Sequence, residues 1–380
     1  MTSAREHLHY VDLVRVLTVG LVIGTHVLAL TPVEPTVLFG ALTIAFHVSR
    51  EVFFLLTAFV LVYSTGRRQV RWPRFWRKRY LFVVVPYVTW TVLYFFANGG
   101  PFLGESFLTE LLTGTARYHL YFLLVSMQIY LVFPLIRTLL RVTGKHHGVL
   151  VVASLGFQLV FSLAVQRQWT AGPLSGWLRV PDPFLPSYLG YILIGAVAAW
   201  HRDQLIGWTR YYARQVLTGC VLVLAAAIGI YLAQVYAGGQ PPLTASVVFQ
   251  PAVTLASFAV AWAFLTLGLL WQESGRRGER VVRATSDASF GIYLLHPLVL
   301  QGVLLAATET GLLTLTPVVP NPVMLAVMIL AFVPLLYLIS GLLTAAIRRT
   351  PVSLALTGRA WSRPAAPARN RVLVTAGGTR

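Results

Sequence analysis

Residues 11–31 read VDLVRVLTVGLVIGTHVLALT and carry only three ionisable side chains, Asp12, Arg15 and His26. An α-helix rises 1.5 Å per residue, so a run of about 20 apolar residues crosses the hydrocarbon core of a bilayer. The stretch has no small-residue cleavage site and is longer than the core of a signal peptide. It therefore predicts a membrane-spanning helix near the start of the chain.

Nine further apolar stretches follow, with breaks between them that contain proline and glycine. Only 11% of the 380 residues are charged and 57% are hydrophobic, which leaves too few charges to cover the surface of a soluble protein. The sequence therefore predicts an all-α, polytopic transmembrane helix bundle of about ten helices within residues 1–347. A basic tail rich in alanine and proline, 348–380, is predicted to be disordered. The predicted spans are 11–31, 43–65, 80–97, 118–140, 148–166, 184–200, 215–236, 246–271, 289–308 and 322–347.

The positions of lysine and arginine predict how this bundle is oriented. About 25 of the 30 such residues fall in alternate loops and at the two ends of the chain, whereas the intervening loops carry only Arg117, Arg167 and Arg179. Loops rich in lysine and arginine stay in the cytoplasm. We therefore predict a multi-pass protein of the cell membrane with both termini cytoplasmic.

The composition also excludes some classes of protein. The formal net charge of +18 would suit nucleic acid, but a nucleic-acid-binding protein gathers its basic residues on one soluble face, and here they lie between apolar spans. The single cysteine, Cys220, excludes a disulfide framework. No cluster of cysteine and histidine has zinc-site spacing. The sequence therefore predicts neither a nucleic-acid partner nor a metal site.

Beyond Asp12 at its start, the first span contains two ionisable residues, Arg15 and His26, which are functional candidates because such residues are costly inside a bilayer. Eleven residues turn a helix by three turns and about 20°, so both side chains lie on one face, about 16 Å apart along the axis. This spacing suits a long substrate that a cation holds at one end and that reacts near the other. Alternatively, Arg15 reaches lipid phosphates and His26 bonds a neighbouring helix.

The second span contains His47, Arg50 and Glu51 in the segment HVSREVFFLLTAF. His47 and Glu51 are four residues apart on one helix face, and we expect Glu51 to lie at a depth similar to His26. A carboxylate there could orient an imidazole. A local pair of Arg50 with Glu51 is the alternative.

A basic run precedes the third span and includes Arg74, Arg77, Lys78 and Arg79. Guanidinium groups match phosphate oxygens, so the run is a candidate binding site for an anionic head group. A loop that only fixes the orientation of the chain would explain the same charges.

Polar side chains in two later spans are further candidates for substrate binding. His119 opens the fourth span and is expected at the outer surface. Ser289, Tyr293 and His296 form a stripe on the ninth span, with His296 expected in the inner half, far in depth from His26. Packing between helices is an equally good explanation of that stripe.

Taken together and in order, these segments resemble the family 3 membrane acyltransferases, which acylate hydroxyl groups of glycans and of some glycosylated metabolites. An arginine and a histidine separated by ten residues in the first helix are the mark of that family, as Arg15 and His26 are here, and Asp12 also fits. The resemblance extends from residue 10 to about 345. The other segments that carry it are VFFLLTAF (52–59), FWRKRYLFVVVPY (75–87), YHLYFLLVSMQIYLVFP (118–134) and SFGIYLLH (289–296).

The sequence departs from the family pattern at two places. Thr57 and Ala58 stand where the family usually has Ser-Gly, and Tyr121 stands where it has Trp. The segment after residue 347 is too short for the extracellular esterase-like domain that some members carry, so the resemblance implies a stand-alone transferase.

The resemblance also implies a reaction. Acyl-CoA, with acetyl-CoA the expected donor, would be a co-substrate rather than a tightly bound cofactor, and the acceptor would be a glycan, a lipid-linked sugar or a glycosylated metabolite. Arg77 and Arg79, helped by Arg15, would hold the donor phosphates. His26 would act as the general base, oriented by Glu51. A covalent acyl-histidine intermediate is a variant of this mechanism.

Two other functions fit the same buried charges. One is an exporter or flippase of a polysaccharide or lipid-linked sugar, and the other is an inactive scaffold in a polysaccharide-synthesis complex. The spacing of Arg15 and His26 favours the enzyme, and we find no paired halves with broken helices of the kind that transporters show. The sequence gives no prediction of oligomeric state.

Overall fold

The computed structural model describes residues 7–66, 69–100, 104–169, 172, 175–311 and 318–361. Regular secondary structure in these ranges is helical, apart from an isolated parallel bridge between Val33 and Val318. A 3₁₀ turn, Leu185–Tyr188, precedes α9, and a π-helical turn, Met328–Phe332, joins α15 to α16. The helices are α1 (His9–Leu30), α2 (Val37–Phe46), α3 (Ser49–Thr65), α4 (Trp72–Ala97), α5 (Glu105–Thr113), α6 (Tyr121–Val142), α7 (His147–Gln166), α8 (Ser175–Arg179), α9 (Leu189–Trp200), α10 (Arg202–Tyr211), α11 (Ala213–Tyr236), α12 (Pro242–Ala245), α13 (Pro251–Glu273), α14 (Glu279–Glu309), α15 (Pro322–Val327), α16 (Val333–Ile347) and α17 (Ser353–Thr357).

Nine segments of the described chain are long and apolar enough to cross a membrane. They are α1, α2 with α3, α4, α6, α7, α11, α13, α14, and α15 with α16. The predicted span 184–200 corresponds to a shorter apolar helix, Leu185–Trp200. The prediction of an all-α, polytopic bundle is therefore confirmed.

Three spans begin more than five residues before their predicted starts, and one of these three is also interrupted. The second begins at Val37 and is interrupted at His47, the third begins at Trp72, and the ninth begins at Glu279. In the last two, part of the basic residues assigned to loops belongs to the helix itself, namely Arg74, Arg77, Lys78 and Arg79 in α4 and Arg280 and Arg283 in α14. Arginine and lysine side chains can extend from a helix toward water, so a charged stretch marks the edge of the membrane rather than the end of the helix.

The first helix lies at the centre of the bundle, where α1 packs against α2, α3, α13, α14 and α16. Another close contact joins α3 to α9. A Cβ at Gly195 would lie only 2.3 Å from the carbonyl oxygen of Leu55, so glycine is needed for this approach. Small residues allow the backbones of membrane helices to come close in this way.

Hydrogen bonds between α1 and α14 define one end of the bundle. The Ser286 hydroxyl donates to Asp12 Oδ1 at 2.8 Å, close to the start of both helices. Arg348, which follows α16, donates to the Asp287 carbonyl at 2.6 Å. We call this end the arginine end, and the opposite end, where α1 finishes and α3 begins, the histidine end. That the arginine end faces the cytoplasm stays a prediction.

Residues 348–361, assigned from the sequence to a disordered tail, fold back onto the bundle. They include α17, in which Ser353 and Thr357 are buried. The indole nitrogen of Trp90 donates to the Leu356 carbonyl at 3.1 Å. Residues 362–380 lie outside the described residues.

Candidate active site

Arg15 and His26 lie toward opposite ends of α1, and both are half-buried. The helix is continuous between them, which gives the shared face that their spacing predicts. That face carries Thr18, Val19 and Val22, all buried against neighbouring helices. The path from Arg15 to His26 is therefore packed in this conformation.

Three imidazoles come together at the histidine end. The ring of His26 stacks on that of His296 with centroids 5.1 Å apart, and the ring of His119 meets that of His296 at 5.8 Å. The ring of Tyr118 lies 4.5 Å from that of His26. We call His26, His119 and His296 the histidine cluster.

The prediction that His296 lies far in depth from His26 is wrong. Helix α14 begins ten residues before the predicted span, and it runs beside α1 in the same direction. The bond between Ser286 and Asp12 fixes the register of the two helices. At 1.5 Å per residue this register places His296 within about 6 Å of the depth of His26, and the two rings stack across that interval.

The prediction that His119 lies at the outer surface is also wrong, because its side chain is 1% exposed. The segment before α6 folds back over the end of the bundle. The amide of Asn98 donates to the Ala116 carbonyl at 2.9 Å, and the Tyr293 hydroxyl donates to the His119 carbonyl at 2.6 Å. These bonds turn the His119 ring inward.

Several nitrogens of the histidine cluster lack hydrogen-bond partners among the described residues. They are both ring nitrogens of His119 and Nε2 of His296, whereas Nδ1 of His296 lies 3.2 Å from the Ile292 carbonyl. A buried polar atom without a partner costs about 1–3 kcal/mol. Such atoms are therefore available to a ligand or to water.

A cavity of about 150 Å³ opens beside this cluster. His26 and His119 line it together with polar residues from α3 and the start of α6, among them Arg50 and Tyr121. A cavity of this size can hold several water molecules or a small polar group. Its full lining is Val22, Thr25, His26, His47, Ser49, Arg50, Phe53, Tyr118, His119, Tyr121, Phe122, Val248 and Tyr293.

Glu51 does not orient His26 as expected. Its Oε1 accepts a hydrogen bond from Nε of Arg50 at 2.9 Å, which is the local pair named as the alternative. Arg50 also bonds to Asp182 and, at 3.3 Å, to the Tyr121 hydroxyl. Its guanidinium lies over the rings of Phe249 and Tyr188 at 4.4 and 5.1 Å. A buried cation requires such compensation, so Glu51 is committed to Arg50.

The basic run divides into two parts in the structure. Arg74, Arg77 and Lys78 are exposed, whereas Arg79 is half-buried, with its guanidinium 5.7 Å from the Phe75 ring. Of these residues, Arg79 is the one that interacts electrostatically with Arg15. The structure thus brings only part of the predicted phosphate-binding set together with Arg15.

A second group of arginines surrounds Asp287 at the arginine end. Arg15 interacts electrostatically with Asp287, and Nη1 of Arg359 lies 3.8 Å from its carboxylate. Burial and then the nearby Arg359 lower the pKa of Arg348, and the Nε of Arg348 is buried without a hydrogen-bond partner among the described residues. We call Arg15, Arg79, Arg348 and Arg359 the Asp287 cluster.

The acyltransferase domain family matches residues 8–341, nearly the whole chain. The chain belongs to acyltransferase family 3. It is therefore an acyltransferase, and its nine candidate membrane spans make it a multi-pass membrane protein. The match confirms the resemblance that the sequence motifs carry. No curated protein and no solved structure matches the chain.

The acyltransferase has site residues that the motifs did not single out. Arg117 donates to Gln301 at 3.0 Å, and its guanidinium lies 5.3 Å from the Tyr118 ring beside His26. It was counted only as a loop charge. Because the loops that contain Arg117, Arg167 and Arg179 carry so few charges, an arginine immediately before Tyr118 and His119 was the signal available in the sequence.

The three polar residues of the predicted stripe on α14, Ser289, Tyr293 and His296, have different surroundings in the acyltransferase. Tyr293 lines the cavity, and His296 stacks on His26. Ser289 is buried on the same helix but does not line that cavity. The stripe therefore combines site residues with a residue of the helix-packing interface.

Proposed function

We propose that this acyltransferase moves an acyl group from acyl-CoA to a hydroxyl of a glycan or of another glycosylated acceptor, with His26 as the general base. The observation that carries the proposal is the cavity at the histidine end. There His26 faces the same space as His119, whose ring nitrogens have no partner among the described residues. Arg15, at the other end of the same helix, provides a cation for the donor.

The Asp287 cluster supports binding of the donor phosphates. Its four guanidinium groups exceed the two carboxylates, Asp12 and Asp287, that act on Arg15. The buried Nε of Arg348 has no partner there, and a phosphate oxygen would supply one. Guanidinium groups bind phosphate through paired, charge-assisted hydrogen bonds. This assignment replaces Arg74 and Arg77 by Arg348 and by Arg359, which is also exposed but lies 3.8 Å from the Asp287 carboxylate, and it keeps Arg15 and Arg79.

The thioester then has to reach His26, about 16 Å from Arg15 along α1. Because Val19 and Val22 close this path, the acyl-pantetheine arm enters only when the packing around that face of α1 opens. Opening of packed helices on binding is a common conformational step in enzymes. A donor that binds slowly and in two phases is the expected kinetic consequence.

The proposed chemical step uses two side chains that line the cavity, His26 and His119. His26 removes the proton from the acceptor hydroxyl while its oxygen attacks the thioester carbonyl carbon. The new carbon–oxygen bond forms, the carbon–sulfur bond breaks, and the proton passes from His26 to the departing thiolate. His119, acting through a ring N–H, would stabilise the negative charge that develops on the carbonyl oxygen.

The size of the cavity limits what it can contain. A space of about 150 Å³ accommodates the reacting hydroxyl and a short acyl group, so most of a glycan would lie outside it. His47, Arg50 and Tyr121 line the cavity and offer hydrogen bonds to sugar hydroxyls. This supports a short acyl group, with acetyl the simplest case.

The test is transfer of an acetyl group by the purified full-length protein, followed as release of the free thiol of CoA in the presence of a glycan acceptor. His26→Gln should insert and bind acyl-CoA normally and lose transfer by about 10²- to 10⁴-fold, the usual contribution of a general base. His146→Gln, an exposed histidine, is the matched control and should keep the wild-type rate. Near-normal transfer by His26→Gln would exclude the mechanism.

A further inference from the structure

A second group of histidines lies at the arginine end, away from the acyl-transfer cavity. His7, His9 and Asp12 each offer a ligand atom, and these atoms all lie within 4.8 Å of one another. His7 and Asp12 are close together, with 2.5 Å between Nε2 and Oδ2. The carboxylate of Asp12 is 5% exposed, whereas the side chain of His7 is 49% exposed.

These ligand types and their geometry suit a transition-metal ion of the Zn²⁺ class. Imidazole and carboxylate are common zinc ligands, at about 2.0–2.2 Å from the metal. Tetrahedral geometry at that length separates neighbouring ligand atoms by about 3.3 Å. His7 would have to move away from Asp12 by about 1 Å, and ligand atoms that lie up to 4.8 Å apart would have to approach by up to about 1.5 Å, movements that the exposed His7 side chain allows. The group contains an aspartate and no cysteine, so it differs from the cysteine and histidine clusters by which zinc sites are recognised in a sequence.

The surroundings supply what a metal site needs beyond its ligands. Oε1 of Glu279, at the start of α14, lies 3.2 Å from Nδ1 of His9, and a carboxylate beside a ligating histidine orients its ring. His7 also lines a polar cavity of about 300 Å³, which gives an aqueous route to the site. The arginines of that cavity, Arg202 and Arg210, are paired with Asp203 and Glu273.

We propose that His7, His9 and Asp12 bind one Zn²⁺-class ion, with water completing the coordination and Glu279 orienting His9. The ion would join the start of α1 to α14, because Asp12 also bonds to Ser286 and Glu279 belongs to α14. It would also reduce the negative charge that Asp12 presents to Arg15. Metal binding at this site requires no step of the proposed acyl transfer, although the two proposed sites are coupled through the charge of Asp12 on Arg15.

The experiment is a titration of the metal-free, full-length protein in detergent with Zn²⁺, using an affinity tag that contains no histidine. We expect one equivalent to bind. A parallel titration with Co²⁺ should give the visible absorption of a four-coordinate ion with nitrogen and oxygen ligands. Glu279→Gln should weaken binding by about 10- to 100-fold, as expected for a group that orients a ligand.

The ligand variants decide the assignment. His7→Ala and His9→Ala should each weaken Zn²⁺ binding at least tenfold, whereas His146→Ala, which removes an exposed histidine elsewhere, should leave it unchanged. Size-exclusion chromatography and circular dichroism confirm that each variant is folded. If the wild-type protein shows no saturable binding, or if His7→Ala and His9→Ala bind as the wild type does, the proposal is overturned and His7 only bonds Asp12.

Discussion

Two polar groups of residues line the same cavity and differ in how completely they are paired. Arg50 bonds to Glu51, Asp182 and Tyr121, and aromatic rings lie over its guanidinium. Nη2 of Arg50 has no hydrogen bond among the described residues but forms an ion pair with Glu51 at 2.9 Å, so that in this group an opposite charge compensates the cation. The histidine cluster is joined mainly by ring contacts, and both nitrogens of His119 lack partners among the described residues.

This difference separates a structural role from a chemical one. A buried charge is tolerated when opposite charges compensate it, as Glu51 and Asp182 do for Arg50, and such a network then fixes the positions of the elements that it joins. Arg50 joins α3 to the segment that carries Asp182. Imidazoles without partners add nothing comparable to the fold, and the proposed function pairs them with a substrate. Replacing residues in each group should therefore change different properties.

The largest effect on stability is expected for Arg50→Met. The change leaves the buried Glu51 without its cation, which typically costs about 3–5 kcal/mol. Unfolding in detergent, followed by circular dichroism during denaturant titration, measures the loss. The double variant Arg50→Met with Glu51→Gln should recover part of it, because no unpaired charge remains. Equal stability of Arg50→Met and the wild type would remove the distinction between the two groups.

His119→Gln should change the reaction far more than the fold. Loss of a donor to the developing oxyanion typically lowers kcat by about 10²- to 10³-fold. We expect the unfolding midpoint in denaturant to stay close to that of the wild type, since the ring nitrogens have no partners to lose. Steady-state kinetics with acetyl-CoA gives the comparison. A variant that is unstable but fully active when folded would reverse the role assigned to His119.

Substitutions in the Asp287 cluster should selectively weaken binding of the donor, measured as KM for acyl-CoA. Arg348→Ala removes a guanidinium with an unpartnered buried nitrogen, and each lost charge-assisted bond costs about 1.5–3 kcal/mol, or roughly 10- to 150-fold in KM for acyl-CoA. Arg77→Ala, at an exposed position in the same basic region of the protein, is the control and should change KM little. If Arg77→Ala has the larger effect, the original assignment to the basic run is the better one.

The smallest effect is expected for Tyr293→Phe, which removes one hydrogen bond to the His119 carbonyl. A net loss of about 0.5–1.5 kcal/mol should loosen the segment that holds His119 and lower kcat by up to roughly tenfold. Tyr94→Phe, which removes a similar bond to the Leu294 carbonyl, should not lower kcat. Equal rates for the two variants would show that the Tyr293 bond does not position His119.

The bundle could be predicted from the sequence because its cause is local. A lipid-exposed backbone has to satisfy its own hydrogen bonds, so each apolar run of sufficient length becomes a helix. The spacing of Arg15 and His26 fixed their shared face for the same reason. The starts of α4 at Trp72 and of α14 at Glu279 lie before the predicted starts of the spans, at 80 and 289. A helix can continue past the membrane edge when its long basic side chains reach water.

Local patterns could not show which side chains meet. Glu51 had two candidate partners within reach, and the choice of Arg50 depends on Asp182, which is 132 residues from Arg50 in the chain. His119 faces inward because Tyr293 and Asn98, both on other helices, hold its segment. The basic composition of the segment after residue 347 predicted a disordered tail. Residues 348–361 nevertheless pack on the bundle, where Trp90 donates a hydrogen bond to the Leu356 carbonyl.

The sequence by itself determined the all-helical membrane bundle, the acyltransferase family and the helix that carries Arg15 and His26. These follow from hydrophobic run length, from the positions of charges and from residue spacing along single helices. The tertiary structure alone decided that His296 stacks on His26, because that contact depends on how α14 is placed along α1. A shift of one helical turn, about 5.4 Å, would separate the two rings while leaving both helical patterns unchanged.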